Sequence, residues 1–205
     1  MIEEKKSVSK FEEHSDYFSQ LYRLGGWGSS DESSSGGGSS INNTVEYRKF
    51  IEKFLIDKKI NRVYDFGCGD WAFSKLIDWG NSQYTGIETV KFLVDDVLFR
   101  YRTDNIKFVY MKNATTFYTR KGDLLLIKDV LQHWNNQEII EFLDHVIPNF
   151  KYILITNSRT QSEDWQDSEN RSRPLSCKFY PLKKFNPEPM LSYGDKEISL
   201  ISNEF

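Results

Sequence analysis

The chain has 205 residues, room for one domain with a sizeable core. Its 27 Lys+Arg against 30 Asp+Glu leave a net charge of −3 with no basic tail, which argues against a general nucleic-acid binder. Two cysteines, Cys68 and Cys177, are too few for a disulfide framework; no apolar run approaches a membrane span and the first residues lack a signal-peptide core, so the expectation is a soluble, cytoplasmic chain without membrane attachment.

Residues 8–24 are charged, with Phe11, Tyr17, Phe18, Leu21 and Leu24 spaced as in a short amphipathic helix packing across the top of the domain. Gly25-Gly26-Trp27-Gly28 and a Ser/Gly run through Ser40 follow. By composition this is a flexible linker; the other reading is a mobile lid with Trp27 as its apolar closing element. Thr44 is a candidate N-cap for a helix running to about Lys58, with Val45, Phe50, Phe54 and Leu55 toward a sheet.

Val63-Tyr64-Asp65-Phe66-Gly67-Cys68-Gly69-Asp70-Trp71 reads as a buried strand entering a tight glycine turn and then a helix. An acidic residue followed by Gly67-x-Gly69 at a strand's C-terminal edge is how an open α/β sheet cradles a nucleotide-like ligand. The glycines let the backbone approach where a Cβ would collide. Phe73, Leu76 and Ile77 give the next helix its buried stripe. A second strand, residues 83–88, ends on Glu88, where a carboxylate can accept both hydroxyls of a ribose. A further helix is expected to pack through Phe92, Leu93, Val97 and Phe99. Residues 106–111 alternate as a third strand that breaks at Lys112-Asn113-Ala114.

The continuous apolar run 123–127 predicts a central parallel strand covered on both faces. It leads into Lys128-Asp129-Val130-Leu131-Gln132-His133-Trp134. Residues 136–146 carry a helical pattern stopped by Pro148, and residues 152–157 a fifth strand closing on Asn157. Residues 164–170 are polar and irregular. Arg173-Pro174-Leu175 and a proline-spaced segment then lead to two short strands, near 190–193 and 197–202, joined through Gly194-Asp195. This β-α alternation with an antiparallel end predicts an α/β fold.

Ligands of open α/β sheets lie beyond the C-terminal strand ends, which is where Lys128, Asp129 and His133 fall. If that segment turns helically, Asp129 and His133 share a face. A carboxylate holding one imidazole nitrogen would leave the other as a proton acceptor near neutral pH. The alternative for His133 is a polar residue beside Trp134 that anchors the next helix. His14 and His145 read as surface or packing residues, and Arg173 as either a substrate-side group or a solvent-facing ion pair. No His/Cys cluster has zinc spacing. Asp129 with Asp164 or Asp167 could hold a divalent cation, which is not the favoured reading.

Through Asp65, Gly67-x-Gly69 and Glu88 the chain resembles the class I, Rossmann-like methyltransferases that use S-adenosylmethionine (SAM). A dinucleotide site would want a third glycine where Ala72 stands, and the Asp70 carboxylate would repel a pyrophosphate. SAM instead carries a sulfonium and an ammonium. Trp27-Gly28-Ser29, residues 35–39 and Thr44 resemble the N-terminal pattern of a subgroup often found beside, or fused to, glycosyltransferases. Residues 128–133 are similar to its Arg-Asp-x-Leu-x-His signature, and Arg173-Pro174-Leu175 to a substrate-side motif.

The resemblance implies a mostly parallel seven-stranded sheet with helices on both faces and an antiparallel C-terminal strand. Residues 1–43 would be an N-terminal helix with a lid or linker, and residues 44–205 the core. It implies SAM as cofactor, leaving as S-adenosylhomocysteine, held by Asp65, Gly67, Gly69, Asp70, Trp71, Glu88 and Lys128. Asn113 and Ala114 would lie beside the adenine, and Trp27, Ser39 and Thr44 would reach the site from the N-terminal segment. His133 and Asp129 would be the catalytic pair, with Arg173, Asn157 and Trp134 on the substrate side and no metal. The Asn/Asp-Pro-Pro-aromatic motif of amino-directed enzymes is missing after the fourth strand, which points to a hydroxyl acceptor. The implied acceptor is a sugar or glycan, in the setting of a larger, viral, glycan-assembling protein with glycosyltransferase domains. A small-metabolite or natural-product methyltransferase and a non-catalytic SAM-binding module are the other readings.

Overall fold

The apolar runs read from the sequence lie side by side in one seven-stranded sheet, seen in a computed structural model that describes residues 10–28, 33–164 and 173–203, with side chains from residue 14 onward. The expectation for the Phe11 side chain, and those for Ser29 and for residues 165–170 with Asp167, fall outside what is described. The strands are β1 (Arg62–Phe66), β2 (Gln83–Glu88), β3 (Ile106–Tyr110), β4 (Gly122–Lys128), β5 (Phe150–Ser158), β6 (Glu188–Tyr193) and β7 (Lys196–Ser202). Their order across the sheet is β3-β2-β1-β4-β5-β7-β6. The first five run parallel, and β7 pairs antiparallel with both β5 and β6. This is the mostly parallel sheet with an antiparallel C-terminal strand that the sequence predicts.

The side-chain alternation of β4 divides the interior in two. Leu124 and Leu126 point to one face, where helices α2 (Val45–Asp57) and α3 (Lys91–Tyr101) pack through Ile51, Phe54, Val94 and Val97. Leu125 and Ile127 point to the other, covered by α4 (Asn136–Val146) through Ile139, Phe142, Leu143 and Val146. The α4 N-terminus carries a capping box: Asn135 Oδ1 accepts from the Glu138 amide, and Glu138 Oε2 accepts from the Asn135 amide, both at 2.9 Å. Helix α1 (Lys10–Arg23) lies over the C-terminal edge of the parallel strands, tied there by the Ser15 hydroxyl donating to the Thr89 carbonyl at 2.7 Å. Among the described residues, no helix is long and apolar enough to cross a membrane.

Four local expectations are corrected. The segment after the glycine turn makes only a short 3-10 turn, Ser74–Leu76, because Trp71 sits at φ 58° and Gly80 turns the chain again at φ 55°. Trp71, Phe73, Ile77 and Trp79 fill that layer as loop side chains, and Leu76 is exposed. In α2 the buried stripe is Tyr47, Ile51, Phe54 and Leu55, so Val45 faces outward. In α3 Phe99, two positions past the buried Val97, points away and is 91% exposed, while Phe92 is partly exposed. Thr44 is buried and does not cap α2 with its side chain; its hydroxyl donates back to the carbonyls of Ser40 at 2.8 Å and Ile41 at 3.2 Å.

Candidate active site

The strand ends that carry Asp65, Glu88 and Lys128 open into a cavity of about 310 Å³. Its floor is backbone geometry. Gly67 stands at φ 80°, and a Cβ on it would lie 2.3 Å from Val130 Cγ2. Gly69 stands at φ 58°, and a Cβ there would lie 2.7 Å from Ser35 Oγ. Both positions combine a conformation that favours glycine with a neighbour that leaves no space. The crowding atoms belong to the protein itself, so the glycines are needed before any ligand arrives.

Two buried carboxylates face this floor from adjacent strand ends. Asp65 Oδ2 accepts from the Tyr84 hydroxyl at 2.7 Å. Burial pushes its pKa up to about 6, against the pull of that hydrogen bond and of the Lys128 charge. Glu88 is fixed by three backbone N–H groups: Gly69 at 3.0 Å to Oε2, and Thr89 at 2.7 Å and Val90 at 3.0 Å to Oε1. Its pKa is also raised, by burial first, with the three amides opposing. Ile87, Met111 and Ala114 supply apolar wall beside Glu88.

The roof comes from the N-terminal segment. His14, Phe18 and Tyr22, one helical turn apart on α1, all line the cavity, followed by Trp27 and residues 35–39. Trp27 lies with its ring centroid 5.0 Å from His133 and 6.2 Å from Phe18, and its Nε1–H is buried with no hydrogen-bond partner among the described residues. The described part of the Ser/Gly run is pinned to the floor. The Asp70 carboxylate accepts from the Ser34 amide at 2.6 Å, the Ser34 hydroxyl at 3.0 Å and the Ser33 hydroxyl at 3.1 Å. Ser35 Oγ meets the Tyr22 hydroxyl at 2.9 Å, and the Gly38 carbonyl accepts from Lys128 Nζ at 3.0 Å.

The fourth strand end does not turn helically as expected. Asp129 sits at φ 58°, and only Leu131–His133 form a short 3-10 turn. Asp129 and His133 therefore do not share a helix face. The Asp129 carboxylate is held instead by Lys128 Nζ at 2.5 Å and by Lys196 Nζ, at the start of β7, at 2.6 Å. Burial would raise this carboxyl; the two ammonium groups outweigh it and hold it below its ordinary value. With both oxygens on lysines, Asp129 is poorly suited to a divalent cation. Among the described residues no group of three or more His, Cys, Asp or Glu is arranged to hold a metal. His133 lines the cavity, with Gln132 Nε2 at 3.3 Å from its Nε2. An amide N–H donating there leaves Nε2 as the lone-pair nitrogen.

Of the sequence-derived site residues, the cavity gathers Trp27, Ser39, Asp65, Gly67, Gly69, Asp70, Glu88, Ala114, Lys128, Asp129, His133 and Trp134. Five others do not line it. Trp71 packs against Tyr84, Tyr101 and Phe108, and Thr44 is turned into the preceding chain. Asn113 caps the 3-10 turn Ala114–Phe117 by accepting from the Thr115 amide at 2.9 Å. Asn157 is buried in β5. Arg173 is buried, not solvent-facing, and donates to the Trp134 carbonyl at 3.0 Å and Asn136 Oδ1 at 2.7 Å, bracing the start of α4.

Among the cavity residues that the sequence reading did not assign to the site are His14 and Lys196. His14 is buried, stacked between Phe18 and Trp134, with Nε2 at 3.3 Å from Glu138 Oε1. The repeat of rings at 14, 18 and 22 was its available signal. Lys196 had none, since only the register of β7 brings it to this edge. His145 is exposed and stacks on Tyr118, in keeping with a surface residue.

A scan of the sequence against protein-family models gives no match, and neither does a search among curated proteins. Solved structures do match. Magnesium protoporphyrin IX methyltransferase (ChlM) from Synechocystis PCC 6803, with bound SAM, is similar at 10% identity and TM-score 0.61, over 97% of this chain and 99% of that one. An O-methyltransferase family protein from Burkholderia thailandensis is similar at 11% identity and TM-score 0.59, over 93% of this chain and 59% of the other. The N-terminal domain of EvdMO1, crystallised in the presence of S-adenosylhomocysteine and D-fucose, is similar at 12% identity and TM-score 0.55, over 92% and 97%. Likeness at such identities speaks for architecture: the chain has the Rossmann-like fold of the class I methyltransferases.

Proposed function

We propose that the protein is a SAM-dependent O-methyltransferase that methylates a hydroxyl of a sugar or glycan. The observation that carries the cofactor is the pair of buried carboxylates, Asp65 and Glu88, at adjacent strand ends in one cavity. Two carboxylates beside a glycine turn suit a cationic ligand with ribose hydroxyls and oppose a pyrophosphate. The residues present fit: the volume suits a small molecule, and the buried Trp27 Nε1–H is a donor without an acceptor among the described residues. Glu88 would take the ribose hydroxyls, Ile87, Met111 and Ala114 the adenine, and Asp65 the positive charge of the amino-acid end. Bound there, SAM supplies an electrophilic methyl group. Residues 1–43 act in this reading as the roof and residues 44–205 as the catalytic core.

His133 is the proton acceptor for the substrate hydroxyl, which would take the place of the Gln132 amide at Nε2. Asp129 is not its orienting partner; it organises Lys128 and Lys196. Phe18 and Trp27 pack on the imidazole and keep water from it. The sugar assignment draws on the resemblance of residues 128–133 and 173–175 to the glycan-associated subgroup, and on the D-fucose in the EvdMO1 crystals. A place beside glycosyltransferase domains follows from the same resemblance.

Calorimetry tests the cofactor: S-adenosylhomocysteine should bind and NADH should not, and Glu88→Ala should weaken binding about tenfold or more, the scale of charge-assisted hydrogen bonds. NADH binding without S-adenosylhomocysteine binding would reverse the assignment. Release of S-adenosylhomocysteine in a screen of monosaccharides and oligosaccharides tests the acceptor.

A further inference from the structure

The antiparallel direction of β7 gives the cavity a residue that the parallel strands cannot. β1, β2, β4 and β5 arrive at this edge by their C-terminal ends, whereas β7 arrives by its first residue, Lys196, in register with Ser158. Lys196 and Lys128 both line the cavity and share one carboxylate, Asp129, with their side chains only 13% and 5% exposed. Both ammonium groups lean on this one carboxylate. The other nearby carboxylate, Asp65, acts on Lys128.

An ammonium carries three N–H donors. Among the described residues Lys128 places two, on Asp129 and on the Gly38 carbonyl, and it also faces the Phe73 ring at 5.2 Å. Lys196 places one, on Asp129 Oδ1. Donors left over on a largely buried ammonium are completed by water or by acceptors of a bound molecule, most strongly by an anionic one. The rest of Lys196 stands beside Gly38 of the roof, its Cε 3.5 Å from where a Cβ on that glycine would be, so the unfilled donors sit where roof and floor meet.

We propose that Lys196, backed by Lys128, seats an anionic group, a carboxylate or a phosphate, of a molecule bound in the cavity. This rests on reading the cavity as the site of cofactor and acceptor. Two sources have the required chemistry: the amino-acid carboxylate of SAM, or an acidic acceptor such as a uronic acid or a sugar phosphate.

Calorimetry on the full chain separates them, using Lys196→Gln, which removes the charge, and Lys196→Arg, which keeps it. If the cofactor supplies the anion, Lys196→Gln weakens S-adenosylhomocysteine about tenfold or more and leaves 5′-methylthioadenosine, which lacks the amino-acid end, unchanged. If the acceptor supplies it, S-adenosylhomocysteine is unchanged, and binding of glucuronate or inorganic phosphate to the S-adenosylhomocysteine-saturated protein is lost in the Gln variant. In both cases Lys196→Arg retains most of the affinity, and the wild-type signal weakens with added salt. Equal binding of all four probes by wild type and Lys196→Gln overturns the proposal. Wild-type protein that binds neither adenosyl compound, yet binds phosphate through Lys196, overturns the cofactor reading and leaves the anion seat standing.

Discussion

Gly69 on the floor of the cavity and Ser35 on its roof nearly touch, since a Cβ on the first would lie 2.7 Å from the hydroxyl of the second. The two regions are nevertheless fixed by different physics. The floor is set by backbone: Gly67, Gly69, Trp71 and Asp129 all have positive φ, and strand pairing on both sides of β1 and β4 keeps them there. The roof is set by a few polar side-chain bonds to the floor, chiefly from Asp70 and Lys128. Damage to the floor should therefore cost stability, whereas damage to the roof should cost ligand retention and leave the core folded.

The largest break in that contrast is Gly67→Val. It forces a β-branched residue to φ 80° and drives its Cβ into Val130. Strain and overpacking together should destabilise the protein by about 2–6 kcal/mol, read as a lower midpoint of urea unfolding. Ser35→Ala, across the gap, should stay within about 1–2 kcal/mol of wild type, the scale of the two hydrogen bonds its hydroxyl makes with Tyr22 and the Asp70 amide. Equal losses at the two positions would erase the distinction between floor and roof.

A pair of histidines sharpens the contrast in function. On an identified acceptor, His133→Ala should lower turnover about 10²–10⁴-fold with S-adenosylhomocysteine affinity nearly unchanged. The limb of the pH–rate profile that rises through the imidazole's titration should vanish with it. His14, on the roof and paired to Glu138, is the control: His14→Ala should keep that limb. Its loss in His14→Ala and survival in His133→Ala would move proton acceptance to the roof.

The floor was the legible half. An acidic residue, two glycines and a second acidic strand end signal through spacing along a single strand-turn-strand unit, and the alternation of Leu124, Leu125, Leu126 and Ile127 fixes the sheet between two cores. Lys196 was illegible because its place depends on a register formed between chain segments far apart in sequence. The Asp129–His133 pairing failed because a single residue at φ 58° turns the carboxylate out of the expected helical row. Composition left the Ser/Gly run open between linker and lid, and only Asp70, distant in sequence, shows what holds residues 33 and 34.

Asp65 offers a pH test of the floor. Its carboxyl titrates near 6 in the folded chain, above its ordinary 3.8. The folded state thus holds this proton more tightly than the unfolded state. The stabilisation is complete below pH 3.8 and lost as pH rises through 6, about 3 kcal/mol in all. Urea unfolding at pH 4 and pH 7.5 should show that fall in wild type relative to Asp65→Asn, whose amide does not titrate. A cation bound beside Asp65 favours the ionised form, so S-adenosylmethionine should bind more tightly above pH 6 than below it. A constant stability difference between the two proteins across this range would show that Asp65 is ionised throughout.

The smallest expected effect addresses the roof alone. Among the described residues Asp70 accepts from the Ser33 hydroxyl and from both the amide and hydroxyl of Ser34, and within the floor only from the Ala72 amide, at 3.3 Å. Asp70→Ala should therefore cut the strap loose and disturb the floor little. Unfolding stability should change by about 1–2 kcal/mol at most. A roof that must open before ligand leaves controls dissociation more than encounter, so the variant should release S-adenosylhomocysteine roughly tenfold faster with a nearly unchanged association rate. Stopped-flow Trp fluorescence reads both rates, because Trp27 lines the same cavity. Asp70→Asn keeps an acceptor oxygen and should fall between the two. If dissociation is unchanged in Asp70→Ala while association slows, the carboxylate works by drawing in the ligand's ammonium group from solution, and retention of the ligand belongs to the aromatic contacts of Phe18, Tyr22 and Trp27.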